Sequence, residues 1–140
     1  MKESIRRLHP GPWPLQTWKR FFVISGIWNV CFFIPAVIMP KFYFFIMYGV
    51  HTDDFYRLFL NTVFMIVVLI FGIGYLIVAY DPPARKGIIF LGAMGKIVVG
   101  IMFYYLLAID RVTLLPPLAG TGDLIFTLYF VHYLVKGHQE

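Results

Sequence analysis

Two charged residues interrupt long apolar runs in this sequence. Lys96 sits inside GIIFLGAMGKIVVGIMFYYLLAI, and Asp123 sits inside PLAGTGDLIFTLYFVHYLV. An ammonium and a carboxylate in such places could move a proton, grip a polar head group, or hold one another. A charge at the middle of a bilayer costs at least about 2.5–3.5 kcal/mol, so residues of this kind face a protein interior and have partners. The neighbouring residues agree. Gly92, Lys96 and Gly100 share one helix face, as do Gly120, Asp123 and Thr127. Small residues beside a buried polar group let a second backbone approach closely.

Depth brings these residues together. At 1.5 Å per residue, Lys96 lies roughly 13 Å from the start of its run and Asp123 roughly 18 Å from the end of its own. The two runs are neighbours joined by a short loop, so antiparallel packing puts them near one level. The remaining offset of about 5 Å is within the reach of a lysine side chain. A Lys96–Asp123 ion pair is expected. Asn29 lies about 13 Å into an earlier run, level with Lys96, with Ser25 and Gly26 on its face. Asn61 belongs nearer the opposite end of its run. The candidate buried polar site is therefore Lys96, Asp123, Asn29, Thr127 and Asn61. Three roles fit it: a lock between helices, a ligand site, or a proton or ion path.

The elements that must position these residues follow from composition. The chain has 140 residues, 60% hydrophobic and 14% charged, with a mean hydropathy of +0.78. Soluble domains carry about 25% charged residues, which excludes that class and excludes a disordered chain. The fold class expected is all-α: a single-domain, integral membrane four-helix bundle. A bilayer core of about 30 Å needs about 20 apolar residues per helix. The spans expected are 21–39, 58–80, 87–109 and 117–135, with an interfacial arm over 1–20 and an outer segment over 40–57. Strands of a membrane barrel would alternate in polarity, and these runs do not.

Charge sets the orientation. Lys2, Arg6, Arg7, Lys19, Arg20, Arg85, Lys86 and Lys136 fall on the side of the termini. Lys41, Arg57 and Arg111 fall on the other, beside Asp53, Asp54 and Asp110. The basic excess marks the cytoplasmic side, so both termini are expected there. These charges read as topology signals, and no nucleic-acid partner is expected. No cleavable leader is expected either, because the first apolar run follows the proline-broken stretch His9-Pro10-Gly11-Pro12-Trp13-Pro14. Lys41 to Val50 is apolar and aromatic but too short to cross. It reads as an interfacial stretch or as a cap over the bundle. The start of the last span has two readings as well. Its helix begins at Pro116 or Pro117, or only at Thr121 as N-cap after an unwound segment.

Several motifs carry no chemistry. Cys31 stands alone, which excludes an internal disulfide and thiol exchange. Gly92-Ala93-Met94-Gly95-Lys96 lacks the spacing of a phosphate loop. His132 has no partner histidine for haem. His51, Asp53 and Asp54 read as a solvated loop, and no metal site is assigned. Tyr75, Tyr80, Tyr104, Tyr105 and Tyr129 are candidates for an aromatic interior wall. An amine and a carboxylate inside such a wall suit an apolar molecule with one polar head: a lipid, a quinone or an isoprenoid.

Three stretches, Gly72–Pro82 (GIGYLIVAYDP), Gly92–Lys96 (GAMGK) and Gly122–Phe126 (GDLIF), resemble in their order small bacterial four-span proteins and, more loosely, the DoxX-like superfamily. The resemblance implies a four-helix fold in the bacterial cytoplasmic (inner) membrane. It also implies a place among proteins that include subunits of membrane oxidoreductases. It carries over no catalytic or cofactor residue. The functional expectation is an accessory or small-ligand-binding membrane protein, alone, as a homo-oligomer or in a larger complex. The alternative is a membrane enzyme that acts by proton transfer on a lipid, quinone or isoprenoid. A proton-linked transporter is the third reading.

Overall fold

The computed structural model describes residues 13–138. Lys2, Arg6, Arg7 and the His9–Pro12 stretch lie outside the described residues. Five α-helices and one 3-10 turn make up the described fold: α1 (Leu15–Ile38), α2 (Pro40–Tyr48), α3 (Phe55–Tyr80), α4 (Lys86–Ala108) and α5 (Leu115–Lys136), with the turn at Pro83–Arg85 before α4. All but α2 are long and apolar enough to cross a membrane.

The structure corrects one sequence expectation and decides between the two readings at two other places. The first long helix begins at Leu15, not Phe21, so part of the expected arm is helical. Pro14 stands at its N-cap, and its carbonyl accepts from the amides of Thr17 and Trp18. The polar first turn hid this start, although Trp18 within it is fully buried. The last long helix begins at Leu115 with prolines in its first turn, where no amide hydrogen is needed. Thr121 is not its N-cap. Its hydroxyl donates to the carbonyl of Pro117 one turn back, and no unwound segment precedes Asp123. Finally, the stretch Pro40–Tyr48 is a helix whose Tyr43 and Met47 are buried against the bundle, so of the two readings it is the cap.

The cap is tied down at its ends. Gly49 adopts φ 70° and ends α2 in the left-handed conformation that glycine takes without strain. Thr113, in the loop between α4 and α5, donates through its hydroxyl to the carbonyls of Ile46 and Met47, and its amide donates to Met47 at 3.0 Å. Asp54 caps α3 by accepting from the Arg57 amide at 2.8 Å.

The long helices pack as two hairpins, α1 with α3 and α4 with α5. Glycines set the distance within each. A Cβ on Gly72 would lie 3.2 Å from the carbonyl oxygen of Gly26, and one on Gly120 would lie 3.3 Å from the Cα of Gly100. Backbone meets backbone in both places. Aromatic rings fill the space between the hairpins. At the end of the bundle near Trp18, the rings of Trp18 and Phe22 pack on Tyr133, and Phe22 also packs on Phe130. Nearer the middle, Tyr75 lies against Gly92, and Trp28 lies against Gly122. Glycine therefore serves two purposes here: contact within a hairpin and a seat for a ring between hairpins.

Candidate functional site

The polar site forms where the two hairpins face each other. Gly92 and Gly100 flank Lys96 and hold its side of α4 against neighbouring elements, so the lysine points inward. Lys96 pairs with Asp123 of α5, and its ammonium also donates to Asn29 Oδ1 at 3.1 Å. Asn29 in turn donates from Nδ2 to the Val68 carbonyl at 2.9 Å. A chain of hydrogen bonds thus runs from α5 through α4 and α1 to α3. The Lys96 Nζ lies 5.3 Å from the ring centroids of both Tyr75 and Phe126, within range of a cation–π attraction. These partners offset the burial of the ammonium, whose side chain is 5% exposed.

Asp123 is less enclosed, with its side chain 16% exposed. Two small cavities meet at it. The first, of about 70 Å³, runs inward between α3 and α4 from Val67, past Phe64, Phe71 and Val99, to Lys96, Asn29 and Asp123. Val67 is exposed, so this cavity has an apolar mouth on the flank of the bundle and a charged floor. The second, of about 30 Å³, lies below the cap between Trp28, Tyr43 and Phe103. Asn29, Phe64, Val68, Val99 and Asp123 line both.

The other expected members behave differently. Thr127 is buried, but its hydroxyl is spent on the Asp123 backbone carbonyl at 2.9 Å. Asn61 is buried away from the pair. It accepts from the Tyr48 hydroxyl at 3.3 Å and so belongs to the seat of the cap. The expected aromatic wall is also revised. Tyr75 is 1% exposed, but Tyr80, Tyr104, Tyr105 and Tyr129 lie at the surface. Tyr104 reaches Thr121 there. Phe126 and Trp28 supply the wall instead. No periodicity marks them, because the helices are apolar on every side.

At the capped end, His51 stacks on Phe45 with ring centroids 4.0 Å apart, and Asp53 pairs with Lys41. The lysine's hydrogen bond and charge hold the Asp53 carboxyl below its ordinary value. Burial raises the Tyr43 and Tyr48 hydroxyls, so both stay protonated donors under the cap. At the opposite end His132 is exposed and lies over Trp18. Comparison with family models, curated proteins and solved structures finds no match for this chain.

Proposed function

We propose that this chain is an integral membrane protein that binds a membrane-soluble molecule, its polar head on the Lys96–Asp123–Asn29 cluster and its apolar body in the seam between α3 and α4. The observation that carries the reading is the cavity itself, with an apolar mouth on the flank of the bundle and charged groups at its floor. Ligand pockets for whole drug-sized molecules measure about 300–1,000 Å³. A cavity of about 70 Å³ takes only a head group, which leaves the rest of the ligand in the seam and the surrounding lipid. Lipids, quinones and isoprenoids have that build.

Charge supports an orientation with both termini in the cytoplasm. Lys19, Arg20, Arg85, Lys86 and Lys136 cluster at the end of the bundle that carries Trp18. Lys41, Arg57 and Arg111 stand at the capped end. A bacterial inner membrane and kinship with the DoxX-like proteins are in keeping with this architecture. They belong to the proposal.

The test compares wild type with the double variant Lys96→Met/Asp123→Leu, which removes both charges at similar volume. Native mass spectrometry and lipid extraction of gently purified protein read the outcome. A small molecule that stays with wild type and is lost from the folded double variant is the expected result. Equal ligand content in the two proteins, or none in either, overturns the binding reading.

A further inference from the structure

Resting on that reading, the free chemistry of the cluster narrows the ligand. Asp123 Oδ1 receives the Lys96 ammonium, and Asp123 Oδ2 accepts no hydrogen bond among the described residues. Oδ2 is also not among the buried atoms left without a partner, so it keeps accessible surface. The side chain that bears it is the more exposed half of the pair and lines both cavities. The ammonium is enclosed instead by Asp123, Asn29, Tyr75 and Phe126. Asn29 has Oδ1 on Lys96 and one Nδ2 hydrogen on Val68. The cluster thus offers a newcomer a carboxylate lone pair, with the second Nδ2 hydrogen of Asn29 as a donor beside it.

We infer that the ligand is a lipid-soluble alcohol, a molecule whose hydroxyl donates its hydrogen to Asp123 Oδ2. Three lines of chemistry lead there. A bare carboxylate oxygen in apolar surroundings gains most from a donor, since charge-assisted hydrogen bonds are the strong ones. An anionic head would meet the same oxygen as a like charge, while the ammonium that could attract it is already neutralised. A carbonyl or ether head brings only acceptors, so it can take the remaining Asn29 hydrogen but leaves the carboxylate oxygen without a donor. A hydroxyl also has lone pairs for the remaining Asn29 hydrogen, so it satisfies donor and acceptor at once. The reduced, hydroxyl-bearing form of a quinone falls within the class, and its oxidised form falls outside it.

The experiment uses the wild-type chain in phosphatidylcholine nanodiscs, with farnesol, farnesyl methyl ether and farnesal as probes of nearly equal bulk. Occupancy is read by native mass spectrometry across a titration. Farnesol is expected to bind about ten- to a hundred-fold more tightly than the ether or the aldehyde, the range for one hydrogen bond to a charged group. In Lys96→Met/Asp123→Leu the three probes converge. Binding of the ether or the aldehyde as tight as that of farnesol overturns the alcohol assignment and leaves the site standing. A wild-type chain that binds none of the three overturns the site as well. Preference for farnesol that persists in the double variant places the hydroxyl elsewhere and also overturns the assignment.

Discussion

Lys96, Asp123 and Asn29 form a unit, and single substitutions in it should behave unlike the double one. Lys96→Met alone strands a carboxylate, and Asp123→Leu alone strands an ammonium. Each is expected to destabilise by about 3–5 kcal/mol, while the double variant is neutral or gains about 1–4 kcal/mol. Thermal unfolding of the four proteins in detergent checks the cycle, and additive single effects would show that the two residues act independently. Asp53 offers a contrast at the surface. Its carboxyl is held low by Lys41, so the pair contributes above the ordinary carboxylate range and loses its contribution as pH falls through the depressed value. An NMR titration should find Asp53 below that range in wild type and back in it in Lys41→Met. The pair and Asn29 were legible in the sequence because charge in an apolar run can be placed by depth alone. Tyr133, Trp28 and Phe126 were not. Apolar residues that face protein and those that face lipid look alike when a helix is hydrophobic all round.

Glycine positions govern the elements. A Cβ on Gly92 would lie 2.5 Å from the Tyr75 ring, a contact that must be relieved by movement of the ring. Gly92→Ala is expected to cost about 1–3 kcal/mol in wild type and much less in a Tyr75→Leu background. Unfolding of the double-mutant cycle measures that coupling, and equal costs in the two backgrounds would show that the ring does not sit on the glycine. Thr113 governs α2 in the same local way. Thr113→Val keeps shape but removes the hydroxyl bonds to Ile46 and Met47, at about 1 kcal/mol. Hydrogen exchange should quicken over residues 41–48 while the amides of the long helices are unchanged. The long helices could be read from apolar length, which fixed three of their starts and all of their ends within a few residues. The start of α1 could not, since its first turn is polar on the outside and hides one buried tryptophan. The cap could not be chosen over an interfacial stretch, because its fold depends on Thr113, which is distant in sequence.

Among the described residues the long helices form two hairpins, joined by the Lys96–Asn29 hydrogen bond and by the bonds of Thr113 to the cap. The proposed orientation predicts that a reporter fused after Glu140 is active only if it functions in the cytoplasm, and one inserted at Gly49 only if it functions on the other side. The reverse pattern would invert the proposed orientation. The hairpin arrangement also bears on how the chain is made. Lys96 and Asp123 lie on the same hairpin, so the ammonium can meet its counterion before that hairpin packs against the other, and under the proposed membrane reading what inserts is a neutral pair. Asn29 then joins a charge already balanced. Each half has its own glycine contact, and the Pro82-Pro83 junction between them is a natural place to divide the chain. Halves produced separately, ending and beginning at that junction, should each insert and then find one another, so biogenesis can proceed in two instalments.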